Sequence, residues 1–391
     1  MSMSSTYLGR HPSAAGHHHE RGPVWLAAVA GLCASLVGLG LARFAYTPLI
    51  PALIEAKWFS PSDVVYLGAA NLAGYLAGAL VARELAARAG AVRCLRGMMV
   101  LAAITCFACS LPVSFAWFFV WRLLAGLTGG VIMVLAASTI LAHTAPDKKG
   151  VVGGVIFAGV GLGIAASGTL VPLLLQQGLK QAWHGLGMLS ALLTLLSWKA
   201  WPTEAPATHE GAGRRLASRR QSLMIRTLCV EYSLNAVALV PHMVFLVDFI
   251  ARGLGHGIAA GSYYWVLYGI GAIVGPLLTG HLADRAGFGP ALRVAFLIES
   301  VIVGGFTPGI VPLVLGRVHE LVPQKPVGQR SAWAQATTSF ALFQAAGAYG
   351  VSYCFERTGG DYAILFVIGA SAAIAALAIN LIAAVLNQPA R

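Results

Sequence analysis

Charge is what this sequence has least of. Lys, Arg, Asp and Glu make up 10% of its 391 residues, against about 25% in an ordinary soluble domain. Acidic side chains are the scarcer kind, 14 against 26 basic ones, while 58% of the chain is hydrophobic. One soluble core cannot hide so much apolar surface from water. Alternating segments of ~10 residues, the mark of a membrane β-barrel, are missing too. Cysteine is sparse, and most of the six lie inside apolar runs, so they read as packing residues rather than a disulfide framework. Cys106 and Cys109 share a helix face, but no third ligand lies near them in sequence, and no metal site is expected. No apolar segment followed by a small-residue cleavage site opens the chain, so no secretory signal is expected. There is no H-E-x-x-H, no P-loop lysine motif and no nucleophile elbow. Neither an enzyme nor a bound cofactor is therefore expected.

What is present is a series of apolar runs, each near the ~20 residues that cross a bilayer. The expected class is an all-α polytopic membrane protein. The runs lie at 24–51, 63–84, 97–111, 115–141, 151–175 and 183–201, then at 223–250, 258–283, 291–315, 332–355 and 363–386. Asp63 is expected to cap the second. Residues 1–22 are polar and include His17, His18 and His19; they read as a disordered cytoplasmic tail. Residues 202–222, with Arg214, Arg215, Arg219 and Arg220, read as a cytoplasmic linker. The expected division is then a helix bundle over 23–201 and a second over 223–388.

The two halves carry a common passage. Residues 74–96, GYLAGALVARELAARAGAVRCLR, lie on residues 271–293, GAIVGPLLTGHLADRAGFGPALR, without a gap. Gly74 falls on Gly271, Gly78 on Gly275, Leu85 on Leu282, and Arg88-Ala89-Gly90 on Arg285-Ala286-Gly287. Internal duplication of this kind is typical of secondary transporters.

The net charge of +12 would suggest nucleic acid in a soluble protein. Here it follows topology. With the amino terminus cytoplasmic, the inner loops and tails hold about 20 of the 26 basic residues; Lys57, Lys180, Arg252 and Arg357 fall outside. That asymmetry is the positive-inside pattern, so the partner is a lipid bilayer and no nucleic acid is expected. One run disturbs the scheme: both flanks of 291–315 are basic, yet crossing out and back needs ~40 residues. The glycines and proline of Gly304-Gly305 and Thr307-Pro308-Gly309 would break a helix there. Two shortened half-helices forming a re-entrant hairpin keep the basic loops inside; a single kinked span with inverted topology beyond it is the alternative.

Ionisable residues inside spans are functional candidates by default. Arg43 lies in the outer part of the first span and Arg122 in the outer half of the fourth. The span at 223–250 carries Glu231, Asn235, His242 and Asp248; Glu231 and Asn235 share a face, being four apart. Desolvation disfavours an ionised carboxylate at the depth of Glu231 unless a cation pairs with it, so Glu231 and His242 are the leading proton carriers. The structural alternative is an ion pair of Glu231 with Arg226 or another helix's arginine. Glu299 and Glu356 are weaker candidates. Asn71, Gln335 and Gln344 are lesser polar positions, and Tyr75, Trp265 and Tyr268 could line a cavity.

Gly280-His281-Leu282-Ala283-Asp284-Arg285-Ala286-Gly287 resembles the G-x-L-A-D-R-x-G loop motif of the major facilitator superfamily, with a degraded first-half copy in which Arg83 and Ala87 replace the Gly and Asp. Arg122 with Gly126 resembles the superfamily's fourth-helix motif, and the glycines of the fifth span with Pro172 loosely resemble its antiporter motif. RFAYTPLIPAL, NLAGYLAGAL, VPHMVFLVDFIARGLG and FTPGIVPLVLGRVHELVP together are similar to the YbfB/YjiJ group of bacterial transporters. The resemblance spans about residue 24 to residue 386. It implies two pseudo-symmetric six-helix bundles around a central cavity, here with the ninth/tenth helix region shortened. It implies alternating access; the expected protein is a monomeric small-molecule transporter of the bacterial inner membrane, facilitative or proton-coupled as efflux or antiport. Arg43 and Arg122 favour an anionic substrate or a carboxylate partner. Arg43, Asn71, Arg122, Glu231, Asn235 and His242 are the expected cavity and coupling residues; Gly280, Asp284, Arg285 and Gly287 are the structural loop. A non-transporting membrane sensor or inactive family member is the competing class.

Overall fold

In the computed structural model, residues 24–202, 219–301, 307–322 and 326–386 are described. The expected 1–22 tail, most of the 202–222 linker, and Gly304-Gly305 lie outside them. The described chain is helical throughout: α1 (Val24–Ser35), a π-helix (Leu36–Phe44), α2 (Tyr46–Glu55), α3 (Pro61–Ala89), α4 (Ala91–Ala108), α5 (Phe115–Leu141), α6 (Lys149–Leu175) and α7 (Leu179–Ser197) form the first half. The second holds α8 (Arg219–Asp248), a short π-helix (Phe249–Gly253), α9 (Gly257–Ala286), α10 (Phe288–Val301), α11 (Thr307–Leu321), α12 (Pro326–Arg357) and α13 (Tyr362–Leu386). Among the described residues, seven helices are long and apolar enough to cross a membrane. Their outward faces stay apolar: Leu195, Leu196, Val385 and Leu386 are each about 70% exposed, as a lipid-facing surface requires and a water-facing one rarely tolerates.

Several expectations need adjustment. The first span is one continuous rod broken in register, because α1 and α2 are joined through π-helix hydrogen bonding around Arg43; apolar periodicity carries no mark of that. The second span is capped by Ser60, not Asp63. Asp63 sits at the third helical position, donating its backbone N–H to Ser60 Oγ and accepting from the Ser60 N–H at 3.1 Å. The pair is a capping box, which satisfies donors the helix cannot. The third span starts six residues early, at Ala91, because Arg93 and Arg96 extend the helix beyond its apolar part.

The duplication is visible in the packing. Gly78 presses on the backbone of α5 at Leu127, and its counterpart Gly275 meets Gly309 of α11. Arg83 donates to Ser331 Oγ at the start of α12. Its counterpart Gly280 lies so close to Gly150, at the start of α6, that an added Cβ would stand 2.2 Å from the Gly150 oxygen. The same position on α3 and on α9 thus faces the start of a helix from the opposite half.

The run expected at 291–315 is two helices, of 14 and 15 residues. At 1.5 Å per residue they extend about 21 and 22 Å, short of the ~30 Å hydrocarbon core. They are antiparallel: the Phe288 N–H, at the start of α10, donates to Glu320 Oε1, near the end of α11, at 2.9 Å. Phe288 also packs against Gly316, where any side chain would collide with its ring.

Candidate functional site

A small cavity lies between the halves at mid-height. Arg43 contributes from the π-helix, Tyr75 from α3, Phe157 from α6, Tyr268 from α9 and Gln344 from α12. Its volume is about 50 Å³, room for a water or two. Arg43 is the polar centre. Its guanidinium donates to Gln344 Oε1 at 2.7 Å and to Met243 Sδ at 3.4 Å, both on the other half. It lies 5.0 Å from the centroid of the Tyr75 ring and 5.3 Å from that of Phe44, where ring quadrupoles favour a cation.

Beyond the cavity, toward the end of the molecule away from Asp284, a cleft widens between the halves. Its walls include Arg43, Tyr46, Ile50, Val64, Asn71 and Arg122 on one side and Met243, Val244, Tyr349 and Ser352 on the other. Arg122 is 2% exposed. It donates to the Ala42 carbonyl at 2.7 Å and stacks over Tyr46 at 4.1 Å. Asn71 Nδ2 donates to the Arg122 carbonyl at 3.1 Å, tying α3 to α5.

The buried carboxylates lie elsewhere, within the second half. Asn380 Nδ2 donates to Glu231 Oε2 at 2.9 Å, so the partner of Glu231 is an amide on α13 and not an arginine. Asn235 Nδ2 donates to both oxygens of Glu299, at 2.8 and 2.9 Å, linking α8 to α10. His242 is buried edge-on against Phe366, with ring centroids 5.1 Å apart. None of Glu231, Asn235 and His242 is among the residues lining the central cavity. Gln335 and Glu356 are exposed. Asp248 pairs with Arg252 and accepts from Tyr362 Oη at 2.6 Å. The named candidates therefore fall into two sets: arginines of the first half at the interface, and acids of the second half inside their own bundle.

The other end is shut. Asp284 reaches from α9 to α6 and accepts from the N–H groups of Gly150 and Val151 at 2.6 and 2.8 Å. These are donors of the first helical turn, which have no partner in their own helix, and the positive end of the helix dipole favours the charge. Gly287 ends α9 with φ +84°, a conformation costly for other residues. Arg285 is exposed. Trp333 adds a seal that sequence reading missed: its indole N–H donates to the Met133 carbonyl across the halves, and its ring stacks on Tyr232. A Trp inside an apolar run was the available signal, since its N–H needs a partner when buried.

Two bundles related by an internal repeat, joined face to face and parted at one end around a central cavity, define the major facilitator superfamily fold. The solved structure of a superfamily member, the proton:xylose symporter XylE bound to 6-bromo-6-deoxy-D-glucose, matches with a TM-score of 0.69 over 91% of this chain and 94% of that one, at 13% identity. No curated protein matches the chain. The family described as the uncharacterised MFS-type transporter YbfB matches residues 35–303 and 296–381, and the chain belongs to it.

Proposed function

We propose that this protein is a secondary active transporter of a small organic solute, working by alternating access across the bacterial inner membrane as a monomer with a cytoplasmic amino terminus. The observation that carries the reading is Arg43, a buried guanidinium in the cavity between the halves whose hydrogen-bond partners, Gln344 and Met243, both belong to the opposite half. A solute that engages Arg43 competes with those bonds and so bears on whether the halves stay together. With the basic residues inside, the end sealed by Asp284 is cytoplasmic and the cleft opens outward. In the same frame α10 and α11 form a re-entrant pair whose outer ends stop within the bilayer.

The positive arginines favour an anionic solute. Coupling to protons, as efflux or antiport, is assigned to the carboxylates of the second half. Glu231 and Glu299 both accept from amides, and an amide neighbour accommodates a charged or a protonated carboxyl. The test is flux. Purified protein in proteoliposomes should move a ligand selected by thermal shift, and an outward proton gradient should drive its accumulation. Binding without flux would replace the transporter with a membrane sensor.

A further inference from the structure

We propose that the cleft beside Arg122 is a binding site for an organic monocarboxylate with an apolar or aromatic body, a site that precedes the central cavity. The proposal deepens the transport reading and rests on it.

Four observations converge. First, Arg43 and Arg122 come from different helices and line the same cleft, although both are at least nine-tenths buried. Second, neither meets a carboxylate. The hydrogen-bond acceptors of Arg43 are Gln344 and Met243, and that of Arg122 is the Ala42 carbonyl. The ion pairs of Arg88, Arg252 and Arg317 are local, each with an acid three or four residues away. Two guanidiniums held in a low-dielectric setting without a counter-charge carry a desolvation cost that an incoming anion relieves. Third, Nε of Arg122 is buried with no hydrogen-bond partner, and buried donors are almost always satisfied. Arg122 itself lines the cleft, so a ligand's carboxylate oxygen is the fitting acceptor. Fourth, the rest of the wall is mainly apolar, with Ile50, Val64, Leu72 and Val244.

That wall decides between anions. A phosphate keeps polar oxygens on every side and would bury them against hydrocarbon. A carboxylate presents one charged end to the guanidiniums and leaves its body for the apolar surface. The aromatic rings of Phe44 and Tyr46 at the same wall suit a flat body. Arg43 faces both the cleft and the central cavity. It can therefore pass the carboxylate inward by exchanging Gln344 for the ligand, with the carboxylate held by a guanidinium at both stages.

The probes are benzoate and hexanoate, with benzamide as the neutral isostere and inorganic phosphate as the polar anion. Binding is read by isothermal titration on the purified full-length protein. Benzoate and hexanoate should bind, while benzamide and phosphate should bind at least tenfold more weakly. Arg122→Gln should weaken benzoate at least tenfold. Arg122→Lys keeps the charge but removes Nε, and should weaken benzoate severalfold while its melting temperature stays near wild type. Equal affinity for benzoate and benzamide, absence of benzoate binding, or full affinity in a folded Arg122→Lys protein overturns the site. Reconstituted benzoate flux separates this proposal from the one it rests on. Binding that depends on Arg122 without flux keeps the site and removes the transporter. Transport of another solute that benzoate does not inhibit keeps the transporter and removes the site.

Discussion

Single residues carry the charge logic of this protein, and the logic is lopsided. The buried cations, Arg43 and Arg122, belong to the first half; the buried carboxylates, Glu231 and Glu299, belong to the second. The hydrogen-bond acceptors of the two arginines are Gln344, Met243 and the Ala42 carbonyl. Glu231→Gln is the sharpest probe. It keeps the size of the side chain and a hydrogen bond to Asn380 while removing titration. Solute exchange should survive it and gradient-driven accumulation should fall several-fold in proteoliposomes. An unaltered pH profile of transport would remove Glu231 from proton coupling. Glu299→Gln belongs beside it: if only this variant abolishes accumulation, the proton sits on the carboxylate that Asn235 holds. Sequence alone ranked Glu231 above Glu299, because depth along a helix can be counted but the partner on another helix cannot. The same limit left Gln344 a lesser position and hid Met243; both gain meaning as the acceptors of Arg43.

At the scale of the element, the closed end depends on how near α6 and α9 can come. Gly150 and Gly280 meet backbone to backbone, and an added Cβ on Gly150 would stand 2.1 Å from the Gly280 oxygen. Gly150→Val should therefore open this end or destabilise it. In detergent we expect a fall in melting temperature and faster alkylation of a cysteine introduced at Val151. Asp284→Ala removes the acceptor of two N–H groups at the start of α6. By analogy with helix caps, that costs about 0.5–2 kcal/mol, and it should bias the protein toward the state open at this end. Arg285→Ala, at an exposed position, should change melting far less than Asp284→Ala. The helices themselves were legible from apolar runs and polar turns, and the repeat placed the loop motif. What stayed hidden was the ending of each helix where charged residues continue it, as at Arg93 and Arg96, because composition marks a membrane boundary and not a hydrogen-bond boundary. The run 291–315 was legible as anomalous from its length and flanking charge; α10 ends at Val301 and α11 begins at Thr307, next to Pro308.

For the whole molecule, charge distribution predicts orientation. A cysteine at Ser218 should resist impermeant maleimide in intact cells and react after permeabilisation, whereas one at Thr358 should react in both. Labelling of Ser218→Cys in intact cells would invert the topology, and with it the direction in which the cleft opens. The overall architecture was readable because two copies of one pattern, half a chain apart, leave few alternatives. The identity of the solute was not, because it depends on which helices from opposite halves touch.

The first span carries Arg43 on a stretch wound more loosely than the helices before and after it. A loosely wound turn stores surplus chain, so the two flanks keep their packing whether or not the surplus is there. Deleting Leu39 should take up that slack and leave the folds of both flanks in place, with the melting temperature lowered by the loss of one buried leucine. What it removes is the forward reach of one guanidinium. Such a deletion should yield a stable, correctly inserted protein that no longer protects against melting when benzoate is added. In this light, the loose turn is a tolerance built into the rod, holding one charge at the place where both halves and the solute can compete for it.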